Sequence, residues 1–255
     1  MHPLLEKFRS KIEAGQAVIG PFMKTGDPAF VEVAGRAGFD FAILDMEHGP
    51  TSLQNLQNLI RAAEVGCVLP VVRVPEAREI HIGQVLDVGA LGVQVPQIQS
   101  AQEAEEVIRA ARFHPKGFRG VCRFVRAAGY SATDRFEYFK SADDNLVILQ
   151  LEGREAIENL DAILEVEGAD ILFIGPYDLS QSLGVPGQVT HPKVVGEMQK
   201  IVERAKAKQR VIGTFTDTPE TAKMWKDAGV QYVSYSVDVG IFLEACRGII
   251  SGFSV

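Results

Sequence analysis

The feature that most limits what this chain can fold into is an alternation. Short runs of Val, Ile, Leu and Phe, apolar on both faces, recur at 17–22, 39–44, 68–72, 92–95, 146–151, 171–174, 211–215 and 232–237. Such runs read as strands covered on both sides, the condition met in a parallel sheet. Stretches with helical spacing of apolar residues lie between them, at 30–37, 53–64, 76–88, 101–112, 154–165, 192–208 and 219–228, with a last one at 239–249. Gly38, Gly66, Gly89 and Gly229 follow helices, where C-terminal caps stand. Thr51-Ser52, Ser100 and Thr218-Pro219 precede helices, where N-caps stand. Eight strands and eight helices in strict turn favour an α/β fold of the (β/α)₈ TIM-barrel kind, with a doubly wound open sheet as the alternative. No break in composition interrupts the 255 residues, so one barrel domain over 1–255 is expected.

Charge narrows the partners. The net charge of −7 argues against a protein that binds a phosphate backbone, so no nucleic acid is expected. One stretch, 113–144, is long and rich in arginine and aromatic residues. A loop of that length serves as a lid or a subunit contact. No apolar run approaches the roughly 18 residues that span a bilayer, so no membrane is expected. Residues 1–9 lack the apolar region of a leader. Cys67, Cys122 and Cys246 are odd in number and have no metal-ligand spacing, which fits a reducing cytoplasm.

The chemistry-bearing residues stand just beyond strand ends, where α/β folds place their sites. Glu152 follows the fifth apolar run and Asp178 follows the sixth, after Gly175-Pro176. Parallel strands joined by one crossover helix lie side by side, so the two acids can face one small space. Two hard oxygen ligands with room for water suit Mg²⁺ or Mn²⁺. The second run ends in Leu44-Asp45-Met46-Glu47-His48-Gly49-Pro50. A histidine there can act as acid or base near neutral pH, with Asp45 orienting its ring. Arg73 ends the third run, and its planar fork suits a carboxylate or an enolate oxygen. Gln150, two residues before Glu152, shares its face of the strand. Lys24 also stands at a strand end, but an imine role is disfavoured.

These residues resemble a known family. Phe41 to Pro50, Pro70-Val71-Val72-Arg73, Leu86-Asp87-Val88-Gly89-Ala90, Gly117-Phe118-Arg119-Gly120, Gln150-Leu151-Glu152 and Gly175-Pro176-Tyr177-Asp178-Leu179-Ser180 are similar, in consistent register, to the class II pyruvate aldolases of the HpcH/HpaI type. The resemblance implies a (β/α)₈ barrel assembled as a homo-oligomer, a trimer or a hexamer, with C-terminal helices exchanged between subunits. It implies a carbon–carbon lyase that cleaves or forms a 4-hydroxy-2-oxo acid, with pyruvate and an aldehyde as the small-molecule partners. By resemblance, Glu152 and Asp178 hold a divalent metal, Mg²⁺ or Mn²⁺, with Co²⁺ as a further option. His48, oriented by Asp45, is the acid/base, working through a water. Arg73 stabilises the C2 oxyanion and Gln150 orients the oxo acid. Backbone N–H groups at Gly175, Tyr177 and Asp178 receive the pyruvate carboxylate. Phe22 and Phe215 shape the aldehyde pocket, and Asp87 comes from a neighbouring subunit. Tyr177 departs from the small residue often found there. Two alternatives remain: a related lyase acting on a CoA thioester, which would want a basic groove, and a non-catalytic barrel that only binds.

Overall fold

A computed structural model describes residues 1–253 of the chain. Eight parallel strands close into a barrel in chain order: β1 (Val18–Met23), β2 (Phe41–Asp45), β3 (Leu69–Arg73), β4 (Gly92–Val95), β5 (Leu146–Leu151), β6 (Ile171–Ile174), β7 (Ile212–Thr216) and β8 (Tyr232–Val237). The open sheet is thereby excluded. β1 pairs with β8, so no strand edge is left for another chain to pair with. The helices are α1 (Pro3–Glu13), α2 (Pro28–Arg36), α3 (Leu53–Gly66), α4 (Glu79–Asp87), α5 (Ala101–Ala111), α6 (Arg135–Ser141), α7 (Arg154–Glu158), α8 (Leu160–Leu164), α9 (Pro176–Ser182), α10 (Pro192–Ala207), α11 (Pro219–Ala228) and α12 (Asp238–Phe253).

Two apolar layers hold these elements together. The outer layer packs one face of the strands against the helices, for example Leu44, Val72 and Val93 with Leu56, Ile60 and Leu86. The inner layer fills the barrel with Phe41, Ile43, Val71, Ile148, Phe173 and Tyr232. Helix α1 belongs to that inner layer: its Leu5 and Phe8 are buried with the barrel residues, and Phe8 meets Phe41 and Tyr232 edge to face. Since Phe41 and Tyr232 begin their strands, α1 plugs the end of the barrel where the strands start. The opposite end stays open.

Local chemistry explains the boundaries. Ser52, Ser100 and Thr218 accept N–H groups of the helices they precede. Gly38, Gly89 and Gly229 take positive φ after their helices. Gly66 differs from expectation. It is the last residue of α3, and Cys67 takes the left-handed position at φ 58. Gly66 is small for a different reason: α2 crosses α3 there, and a Cβ on Gly66 would press on the Glu32 carbonyl of α2, just as one on Gly35 would collide with the Gly66 carbonyl. The helix expected at 154–165 is broken at Asn159 into α7 and α8. The 113–144 stretch carries a 3₁₀ turn at Arg126–Ser131, helix α6 and its own small core of Phe113, Ala128, Tyr138 and Ala142. Along α12 only Asp238 is buried, while Phe242, Ile249 and Phe253 are exposed. No helix among the described residues is long and apolar enough to cross a membrane.

Candidate active site

The open end of the barrel carries a connected polar group in an otherwise apolar fold. Asp45 and Arg73 end neighbouring strands and are register partners. Arg73 donates from Nε to Asp45 Oδ1 at 2.9 Å and from Nη2 to Oδ2 at 2.8 Å, a two-pronged match between guanidinium and carboxylate. Its Nη1 stands 2.9 Å from Glu47. The guanidinium also lies over the Phe22 ring, 4.6 Å from the centroid. Burial alone would raise the Asp45 carboxyl. The hydrogen bonds and charge of Arg73, with the His48 backbone N–H, outweigh it and hold Asp45 below the usual carboxylate range. Glu47 is shifted up, because burial there exceeds the help from Arg73.

This arrangement corrects one expectation. The Asp45 carboxylate makes no hydrogen bond to the His48 ring. Its Oδ1 accepts the backbone N–H groups of Glu47 and His48, at 3.1 and 3.3 Å. Its side chain is drawn to the cation across the strand pair and curls the following loop around itself. The imidazole of His48 is exposed and lines the cavity with no hydrogen-bond partner among the described residues.

Glu152 is the other buried acid, 5% exposed just past β5. Three groups fix it. Gln94 donates to Gln150 at 2.6 Å, Gln150 donates to Glu152 Oε2 at 2.6 Å, and the Gln97 backbone N–H donates to Oε1 at 3.0 Å. Gln97 has a left-handed backbone, φ 58, which for a residue with a Cβ costs on the order of 1–2 kcal/mol; its N–H is turned to the acid. A Cβ on Gly175 would collide with Glu152 Oε2, so the glycine leaves the acid its place. Burial pushes the Glu152 carboxyl up to about 7, the Gln150 hydrogen bond offsets part of this, and the charges of Asp178 and Glu47 add to the rise.

Glu152, Asp178, His48, Arg73 and Gln150 line one cavity of about 410 Å³, together with Phe22, Lys24, Tyr177, Phe215 and Asp217. The strand-end reading therefore brings the expected residues together. Asp178 lies in the first turn of α9 rather than in a turn alone. The N–H groups of Tyr177 and Asp178 there are free of helical partners. That of Gly175 is not free: it donates to the Leu151 carbonyl at 3.2 Å and belongs to the barrel. Asp87 ends α4 and accepts Arg119 at 2.7 Å, outside the cavity. Gln94, Gln97 and Asp217 were not expected. Asp217 obeys the rule that singled out Glu152, an acid directly after a strand end.

Among the described residues no group of three or more His, Cys, Asp or Glu side chains is placed to hold a metal. Three acids line the cavity: Asp217 is engaged by the Tyr177 hydroxyl, while Glu152 and Asp178 are, among the described residues, paired with no arginine or lysine. Two hard oxygens fit an ion such as Mg²⁺ or Mn²⁺, whose other positions go to water and substrate. The raised Glu152 carboxyl fits it too. A cation beside it would answer the burial and the acidic neighbours that raise it.

Comparison with known proteins gives the family of the chain. Residues 19–245 match the model of the family described as HpcH/HpaI aldolase/citrate lyase. The chain is 34% identical over 247 residues to a hydroxypyruvate/pyruvate aldolase of Roseobacter denitrificans, covering 96% of each chain. It is 36% identical over 248 residues to a 2-keto-3-deoxy-L-rhamnonate aldolase of Salmonella gallinarum, covering 96% of this chain and 92% of the relative. A crystal structure of a protein of the same family from Burkholderia cenocepacia superposes with a TM-score of 0.93 at 29% identity, over 98% and 99% of the two chains.

Proposed function

Because the chain belongs to the HpcH/HpaI aldolase/citrate lyase family, we propose that its cavity residues carry the aldolase reaction in the roles given below. The protein is a carbon–carbon lyase, a class II aldolase that cleaves a 4-hydroxy-2-oxo acid to pyruvate and an aldehyde. Cleavage needs the C4 hydroxyl to lose its proton. The C3–C4 bond then breaks, its electron pair passes to the C2 oxygen, and the aldehyde leaves. The remaining enolate takes a proton at C3 to become pyruvate.

His48 is the acid/base in this reading, exchanging the hydroxyl proton through a water. Arg73 faces the C2 oxygen. Two of its N–H groups are hydrogen-bonded to Asp45 and its Nη1 is ion-paired with Glu47, so the fork is fixed before charge develops and its remaining N–H groups stabilise the enolate oxygen without reorganising. The role of Asp45 is thus to set Arg73 and the His48 backbone, not the imidazole. Glu152 and Asp178 would hold the divalent ion, Mg²⁺ or Mn²⁺ with Co²⁺ as a substitute. When bound, that ion supplies positive charge opposite the developing oxyanion. Gln150 keeps Glu152 aimed and has one N–H left for the oxo acid. The Tyr177 and Asp178 N–H groups receive the substrate carboxylate. Phe22 and Phe215 line the aldehyde side.

The observation that carries this reading is the pair of acids without cations, Glu152 and Asp178, in one cavity with a guanidinium already locked in place. Protein stripped by a chelator should stop releasing pyruvate and recover with Mn²⁺ or Mg²⁺; activity indifferent to chelation overturns the reading. Glu152→Ala should abolish Mn²⁺ binding in calorimetry. His48→Ala should still bind Mn²⁺ and turn over roughly 10²–10⁴-fold more slowly.

The working unit in this reading is one barrel over 1–255 in a homo-oligomer, a trimer or hexamer, with Asp87 directed to a neighbouring subunit's site. Exposed apolar side chains on α12 and in the 113–144 stretch support it, including Phe242, Ile249, Phe124 and Phe136. Three free cysteines fit a cytoplasmic enzyme.

A further inference from the structure

We propose that Tyr177 and Asp217 form an acceptor-selecting wall that admits uncharged aldehydes bearing a hydroxyl and rejects aldehydes bearing a carboxylate. The inference rests on the aldolase reading above and names the class of aldehyde for that same cavity. Tyr177 stands in the first turn of α9, after β6, and Asp217 directly follows β7. The Tyr177 hydroxyl donates to Asp217 Oδ2 at 2.9 Å, so the bond ties two neighbouring loops at the open end of the barrel. Both residues line the cavity that holds Arg73, Glu152 and Asp178.

A continuous aromatic path joins this pair to the reacting end. The Tyr177 ring meets Phe215 at 5.9 Å, Phe215 meets Phe22 at 5.9 Å, and Phe22 lies beneath the Arg73 guanidinium at 4.6 Å. An aldehyde with its carbonyl carbon at the enolate therefore runs along Phe22 and Phe215, and its far end meets Asp217. Tyr177 stays a donor there. The other oxygen of Asp217 accepts from no described group, and a hydroxyl on the aldehyde can donate to it. A carboxylate in the same place would face a fixed like charge in a partly desolvated cavity. Lys24, the cation on this wall, does not cancel that charge, because its ammonium is turned to Asp45, 3.8 Å away.

The test compares two acceptors, glycolaldehyde and succinic semialdehyde, each with pyruvate and Mn²⁺, as a ratio of kcat/KM within each variant. The wild-type ratio should favour glycolaldehyde. In Asp217→Asn the ratio should move toward the acidic aldehyde by on the order of tenfold. Tyr177→Phe keeps the ring but releases the carboxylate. It should move the ratio the same way, and it gives the reading should the Asn variant fail to fold. A ratio within about twofold of wild type in both variants, or a wild type that prefers succinic semialdehyde, overturns the inference. Loss of the pyruvate methyl protons in D₂O, followed on the wild type with Mn²⁺ and no aldehyde, tests enolate formation separately. Without that exchange the aldolase reading fails and the inference falls with it. With exchange present and the ratio unmoved, only the selecting wall fails.

Discussion

At the scale of single residues, the most consequential one is Glu152. Its carboxyl is raised from 4.5 to about 7 by burial, so the folded, metal-free protein disfavours the charge that an unfolded chain accepts freely. The sign follows. Below the unfolded value both states are protonated and Glu152 costs nothing. As pH rises through the folded value the charge must form in place, and that part of the stability is lost. Melting curves of metal-free wild type and Glu152→Gln should therefore diverge between pH 4.5 and about 7, the wild type falling behind, and run parallel above. Added Mn²⁺ should rescue only the wild type. A difference that does not vary with pH would show that Glu152 is not held this way. The acids and Arg73 were legible because a charged residue directly after an apolar run is visible in a bare sequence. The partner of Asp45 was not. Which way it turns depends on the register that sets it opposite Arg73, and register is a property of the assembled sheet. Gln94 and Gln97 were hidden for a similar reason: their meaning comes from Glu152, which is distant in sequence.

At the scale of elements, close approach governs. A Cβ on Gly20 of β1 would run into the Phe41 carbonyl of β2, and neither backbone has room to yield within a closed barrel. Gly20→Ala should cost roughly 3 kcal/mol or more in urea unfolding. Gly83, inside α4, has no atom within 4 Å of the point where a Cβ would stand, so Gly83→Ala should gain about 0.5–1 kcal/mol from helix propensity alone. Equal effects of the two substitutions would contradict the packing described here. The strands and the longer helices followed from periodicity. The three missed helices differ in kind. α6 lies inside the 113–144 stretch, which was read as one long loop. α9 is a seven-residue helix opening on Gly175-Pro176, so its first residues look like a turn. α1 was readable: Leu4, Leu5, Phe8 and Ile12 have helical spacing, though a test for a leader's long apolar run passes over them.

At the scale of the whole molecule, the exposed side of α12 and the plugged end of the barrel matter most. Val239, Phe242, Leu243, Ile249 and Phe253 leave more apolar surface on one helix than a solitary protein usually shows. The double variant Phe242→Glu with Ile249→Glu should lower the mass seen by light scattering; an unchanged mass argues against α12 as a subunit contact. The stopper that α1 makes has a kinetic meaning of its own. With Phe8 and Leu5 corking the floor, traffic passes through a single doorway. Whichever reactant sits deeper must go in first and come out last. In the proposed reading Arg73 and Glu152 form the inner berth and the Tyr177–Asp217 bridge the threshold, so pyruvate would lead and the aldehyde would shut it in. Initial rates of synthesis should obey a compulsory order, with excess aldehyde slowing turnover by occupying the doorway ahead of its partner.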